Sequence, residues 1–198
     1  MLQMETPPLR VSRELFAALA AENRHARLER ARDGTLIVMP PAGWNSARRN
    51  GEIFGQLWLW NRSSGLGVCA DSSGGFELPD SAIRAADAAW IAKERWERIS
   101  LDERESFPPM SPDFVVELRS RSDRMVDLRA KMAEYVENGV RLGWLIDPYD
   151  RQVEIYHPGK APEPLSDPAT LSGEDVLPGF VLDLAPIFDA GEPIVQPS

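Results

Sequence analysis

Cysteine and histidine are almost missing from this chain: Cys69 is its one cysteine, and His25 and His157 are its only histidines. One cysteine cannot close an internal disulfide, and three such side chains do not make a structural zinc cage. Long apolar runs are missing as well. No stretch approaches the roughly 18 consecutive apolar residues that span a bilayer, and Met1 to Arg10 has neither the basic start nor the apolar run of a signal peptide. A reduced, cytoplasmic protein is therefore expected. Nor is there a basic excess: 22 Lys and Arg face 31 Asp and Glu, and the net charge of -9 repels polyanions overall. Tight nonspecific binding to DNA is disfavoured, but local clusters decide contact, and a carboxylate site built for Mg²⁺ adds negative charge of its own.

With 198 residues, 43% of them hydrophobic, the chain can bury one substantial core. A single domain over 9–188 is expected, with tails at 1–8 and 189–198 that are rich in proline and poor in apolar surface. Ser12 suits the N-cap of a helix carrying Leu15, Phe16 and Leu19. A hairpin follows, from Ala26 to Ala31 and from Thr35 to Val38 around Asp33 and Gly34. A second helix is predicted from Ser46 to Trp60, with Ile53, Leu57 and Trp60 along one face and Glu52 bordering it. Short β-like runs come next, over 68–71, 75–78 and 86–91, then a charged helical stretch over 93–106. The clearest passage reads strand (Phe114 to Leu118), helix (Asp123 to Asn138, capped by Ser122 and closed by Gly139), strand (Leu142 to Asp147) and strand (Gln152 to His157). Strand, helix, strand favours a right-handed crossover between parallel neighbours. An edge hairpin around Pro178 and Gly179 completes a mixed α/β chain.

Two acids stand out against apolar surroundings. Glu117 interrupts Phe114-Val115-Val116-Glu117-Leu118, the pattern of a strand covered on both faces, and Asp87 interrupts Ala85-Ala86-Asp87-Ala88-Ala89-Trp90-Ile91. An unpaired carboxylate is costly to bury, so each must be protonated, paired or bound to a metal. Asp87, Glu117 and the main-chain carbonyl of Leu118 would suit a hard cation such as Mg²⁺ or Mn²⁺. Hydrolysis of a phosphodiester also needs positive charge beside the reacting phosphate. Lys131, at the margin of the face made by Leu128, Met132, Tyr135 and Val136, is the candidate, and Arg119, two positions from Glu117, could bind phosphate.

These residues resemble the large bacterial restriction endonuclease domain family of the PD-(D/E)XK nuclease superfamily. The likeness runs over about 9–188 and rests on Pro112-Asp113-Phe114-Val115-Val116-Glu117, Lys131-Met132 with Tyr135, Gly139-Val140, Trp144-Leu145-Ile146-Asp147-Pro148, and Val153 with Tyr156. It implies a restriction endonuclease-like fold, a mixed β-sheet flanked by helices, to which the N-terminal helix and hairpin are added. It also implies a metal-dependent endonuclease acting on nucleic acid, DNA foremost, and commonly a homodimer. Asp87 falls at the motif aspartate and Glu117 at the motif glutamate. Glu52 matches an acid that often completes the metal site, and Lys131 matches a lysine carried on the helix instead of the strand. Two positions depart from the motif: Ala86 replaces its proline, and Arg119 its strand lysine.

Plainer readings stand beside these. Glu117 could form a structural ion pair with Arg119, Arg121 or Lys131, Asp87 could cap a turn, and Lys131 could lie along the helix edge with its ammonium in water. Arg48 and Arg49, or Arg119, Arg121, Arg124 and Arg129, could rim a phosphate site or simply face solvent. The alternative function is a noncatalytic binding or assembly module on the same fold, its acids structural.

Overall fold

The computed structural model describes residues 8–189, so the tails expected at 1–8 and 189–198 lie, apart from Pro8 and Asp189, outside the described residues. In chain order the elements are α1 (Arg13–Glu22), β1 (Arg27–Arg30), β2 (Leu36–Met39), α2 (Trp44–Ser64), β3 (Gly67–Asp71), β4 (Phe76–Glu77), β5 (Ile83–Arg84), β6 (Ala88–Ala92), α3 (Lys93–Trp96), α4 (Leu101–Arg104), β7 (Phe114–Leu118), α5 (Met125–Glu137), β8 (Leu142–Asp147), β9 (Gln152–Tyr156), β10 (Glu163–Ser166), β11 (Thr170–Ser172), β12 (Val181–Asp183) and α6 (Ala185–Phe188).

A six-stranded mixed sheet in the order β10-β9-β8-β7-β6-β3 organises the chain. Its centre is the parallel pair β7 and β8, every residue of which is buried. Continuous apolar runs are what a strand covered on both faces requires. Alternation then sorts the side chains. Phe114, Val116 and Leu118 of β7 pack with Ile53 and Leu57 of α2 and with Phe180 to Phe188 near the C-terminal end. Val115 faces the other way, toward Met132 and Tyr135 of α5. Glu117 shares that second face, which turns its carboxylate toward α5.

A smaller sheet, β2-β1-β5-β4, is formed by the N-terminal hairpin and two short strands, with Phe16 of α1 and Ile83 in its own apolar cluster. This is the expected addition to the core. Hairpin register runs from Arg27 opposite Met39 to Arg30 opposite Leu36, and Ser12 caps α1 by accepting the Leu15 N–H at 3.1 Å.

Several boundaries differ from the sequence reading. Helix α2 begins at Trp44 and runs to Ser64, beyond the expected Ser46 to Trp60, because Gly65 supplies the left-handed turn (φ 66°) that ends it. Helix α5 starts at Met125 without a side-chain cap. Ser122 bonds Ser120 instead, and Asp123 accepts the Ser120 N–H at 2.7 Å, closing a turn ahead of the helix. The charged stretch after β6 forms two short helices, the second opened by a Ser100–Glu103 capping box. The C-terminal hairpin pairs β11 with β12, so Pro178 and Gly179 lie in its connection, and it stands as a separate two-stranded sheet. Asp87 sits just before β6, not inside it. Among the described residues, no helix is long and apolar enough to cross a membrane.

Gly67 is required where β3 meets β6. A Cβ there would run into the Ile91 carbonyl oxygen and the indole of Trp90, and neither strand backbone nor a buried ring yields cheaply. Gly67→Ala is expected to lower stability by about 1–3 kcal/mol in urea unfolding, whereas Gly55→Ala, which has open space around it, should not.

Candidate active site

Register brings the two anomalous acids together. Ala88 of β6 lies opposite Val116 of β7, so Asp87 continues the ladder opposite Glu117. The Leu118 N–H donates to Asp87 Oδ2 at 2.9 Å, and the Asn50 amide of α2 donates to Asp87 Oδ1 at 3.0 Å. Arg27 of β1 lies 3.7 Å from the same oxygen. Asp87 is thereby fixed from three elements.

Helix α5 supplies the other half. Lys131 and Tyr135 are one turn apart on the face turned to β7. The Lys131 ammonium lies 2.8 Å from Glu117 Oε1, and the Tyr135 hydroxyl donates to that same oxygen at 2.9 Å. Lys131 also donates to Glu29 Oε1 at 2.8 Å and to the Ala85 carbonyl at 3.3 Å. Glu29, on β1, is buried and receives Arg84 as well, at 3.0 Å, while Arg84 reaches Glu134 of α5 at 2.6 Å. One lysine thus bridges two carboxylates, one from the central sheet and one from the added hairpin.

Burial sets the proton affinities. It pushes the Glu117 carboxyl up to about 7 against the pull of Lys131, with Asp87 and Glu29 adding to the rise. Burial also raises Asp87, although the Leu118 N–H, Lys131 and Arg27 oppose it. Burial works against the charge on Lys131, but Glu117 and Glu29 outweigh it and hold the ammonium above its ordinary range. Lys131 is consequently a fixed cation and cannot serve as a base near neutrality. Glu29 goes down, because Lys131 and Arg84 overcome its desolvation.

The donor set fits a hard divalent cation that keeps part of its water. All the candidate donors are oxygens: Asp87, Glu117 and the Leu118 carbonyl. Beside them the buried Asn50 Oδ1 has no hydrogen-bond partner. Among the described residues no three His, Cys, Asp or Glu side chains cluster as a metal cage. Two carboxylates with solvent completing the shell is the pattern Mg²⁺ favours.

Two expected residues are not brought here. Glu52 points to Arg48, 3.8 Å away, with its side chain 40% exposed; Asn50, half a turn earlier on α2, occupies the position beside Asp87. Arg119, just past β7, is bound to Asp147 at 2.5 Å and to Asp150 at 3.3 Å, so its charge is already compensated. Three contributors were missed. Tyr135 carried a signal, since it stands four residues after Lys131. Asn50 and Glu29 carried little: Arg27-Leu28-Glu29-Arg30 reads as a strand with one polar face in water, and only the docking of the hairpin onto α5 buries it.

The acids and Lys131 line a cleft of about 1460 Å³, which also takes in Arg27, Arg49, Arg121 and Tyr149. The family model Uma2, described as "putative restriction endonuclease", matches residues 13–185. The chain belongs to this family. A protein from Anabaena variabilis, whose crystal structure is described as that of a "putative nuclease", superposes with a TM-score of 0.69 at 17% identity, covering 82% of this chain and 89% of that one. That likeness carries the restriction endonuclease-like fold. No curated protein matches the chain.

A pH dependence of stability follows from Glu117. Its folded value near 7 lies above the ordinary 4.5, so between those limits the native state holds a proton that the unfolded chain has released. Raising the pH through this window therefore costs stability, on the order of 1–3 kcal/mol, with the loss complete above about pH 7. Urea unfolding at intervals from pH 4.5 to 8 should show this decline in the wild type and a flatter profile in Glu117→Gln. Parallel profiles would contradict it.

Proposed function

We propose that this protein is a metal-dependent nuclease that hydrolyses phosphodiester bonds of nucleic acid, DNA foremost, in the cleft between β6, β7, α2 and α5. The observation that carries the reading is the convergence of Asp87, Glu117 and Lys131 at adjoining strand ends, two largely buried acids and a permanent cation on the lining of the cleft. Membership of the restriction endonuclease family and the Anabaena variabilis fold relative support it.

Asp87, Glu117 and the Leu118 carbonyl would hold Mg²⁺ or Mn²⁺. When bound, such an ion supplies an acidified water and a Lewis acid for a phosphate oxygen. The chain's own groups do the rest. Asn50 and the Leu118 N–H fix the orientation of Asp87. Lys131 and Tyr135 occupy one oxygen of Glu117, leaving the other available. Lys131 keeps its proton and stands ready to balance negative charge that grows on the phosphate as the bond to the leaving oxygen lengthens. Glu29 positions Lys131 from behind. Lys131 thus takes the part that a strand lysine would otherwise play, in a chain that has Arg119 there.

A noncatalytic module is the second reading, favoured by one observation: two carboxylates already neutralise Lys131. Cleavage of DNA and RNA oligonucleotides with Mg²⁺ or Mn²⁺ separates the two. Asp87→Asn, Glu117→Gln and Lys131→Met are each expected to lower the rate at least about 100-fold. No cutting of any substrate, or variants as active as the wild type, would defeat the nuclease reading. Stoichiometric Mn²⁺ binding by calorimetry that disappears in Glu117→Gln would count against the module.

A further inference from the structure

Arg48, Arg49, Arg119 and Arg121 come from two segments, the first turns of α2 and the loop after β7, and two of the four lack a counter-ion. Arg48 faces Glu52, and Arg119 faces Asp147 and Asp150. Arg49 and Arg121 form no ion pair among the described residues, and both line the cleft with Asp87 and Glu117. Arg49 is 7% exposed, and its Nε donates to the Ile187 carbonyl at 2.8 Å. That contact fixes the side chain without neutralising it. Its guanidinium lies 5.2 Å from the centre of the Tyr149 ring, and that of Arg121 lies 4.8 Å from the same centre.

Arg119 lies over the same ring at 5.9 Å but is paired with Asp147 and Asp150; a buried cation without an ion pair of its own is costly, and a second unpaired cation on that ring adds repulsion that the aromatic face offsets only in part. An anion received by both would relieve the two penalties together. Guanidinium groups stay charged at any working pH, and their planar forks match the oxygens of a phosphate. The chain also ties this spot to the acids. Asn50, which holds Asp87, follows Arg49, and Leu118, whose N–H holds Asp87, precedes Arg121 by three residues. Tyr149 is set by its own N–H on Asp147 at 3.0 Å.

We propose that Arg49 and Arg121, braced on Tyr149, form a subsite for a backbone phosphate of nucleic acid other than the one being cut. The assignment rests on the nuclease reading for its substrate class. It accounts for how a chain of net charge -9 engages a polyanion: through a small local site, with modest affinity and marked sensitivity to salt.

The test is fluorescence anisotropy with labelled single-stranded and duplex DNA oligonucleotides in EDTA, from about 25 to 200 mM NaCl. Arg121→Gln is expected to weaken binding roughly three- to tenfold at low salt and to reduce the slope of log K against log salt by about 0.7 to 0.9. Arg121 is exposed, so its variant should unfold like the wild type, whereas the buried Arg49 is better probed second, as Arg49→Lys. Arg98→Gln, an exposed site outside the cleft, should leave affinity and slope unchanged. An unchanged slope in Arg121→Gln, an equal loss in Arg98→Gln, or no binding by the wild type would overturn the subsite. Arg121-dependent binding by a protein that cuts nothing would sink the nuclease reading alone. Cutting with unchanged KM and salt dependence in Arg121→Gln would sink the subsite alone.

Discussion

The Lys131 ammonium, held at 2.8 Å from both Glu29 and Glu117, is the contact on which the remaining arrangement depends. It ties together three parts of the chain, the N-terminal hairpin, the central strand β7 and helix α5, at the point where all three meet. Arg84 extends the link by bonding Glu29 and Glu134. Buried ion clusters are poor stabilisers, because the cost of removing charges from water can exceed the attraction regained; well-packed apolar residues of similar volume often do as well or better. Such a cluster on the lining of a large cleft accords with the proposed site, where its cost is offset by what it does for chemistry. The hairpin, which looks like an appendage, is then part of the site, since it brings Glu29 to Lys131.

Much of the scaffold was legible in the sequence, because its signals are local. Phe114-Val115-Val116-Glu117-Leu118 could be read as a doubly covered strand because burial on both faces leaves an apolar run, broken here only by Glu117, the strand–helix–strand order made Leu142 to Asp147 its parallel neighbour, and Gly139 could be read as a helix end because glycine suits the left-handed turn, which the structure has there with φ 100°. The charge at Glu117 was conspicuous against that background. Lys131 was harder: its position at the helix margin allowed either solvent or the strand ends, and only the docking of α5 decides.

What could not be read depends on contacts between segments distant in the chain. Glu29 and Lys131 are 102 residues apart, and nothing local to Arg27-Leu28-Glu29-Arg30 distinguishes a buried carboxylate from a wet one. Glu52 shows the converse. Its place on the first core helix matched an acid expected in the site, but the roll of α2 that buries Arg49, Ile53 and Leu57 puts Asn50 beside Asp87 and leaves Glu52 with Arg48. Arg119 similarly stands two residues after Glu117, yet β7 ends at Leu118, and the side chain turns to Asp147 at the end of β8 and Asp150 just beyond it. Alternation along a strand holds only while the strand lasts.

The two acids and the lysine also differ in what neutral pH does to them, and that difference bears on the chemistry. Lys131 stays charged because Glu117 and Glu29 face it, whereas Glu117, under the same burial and with Asp87 and Glu29 nearby, sits with its proton near the point of release. A divalent cation at Asp87 and Glu117 would favour the ionised forms and expel that proton. Lys131 and Tyr135 engage one oxygen of Glu117, so the other would be the one open to a divalent cation. With Arg49 and Arg121 free of ion pairs among the described residues, positive charge is distributed along the cleft beyond Lys131, within a protein whose total is strongly negative.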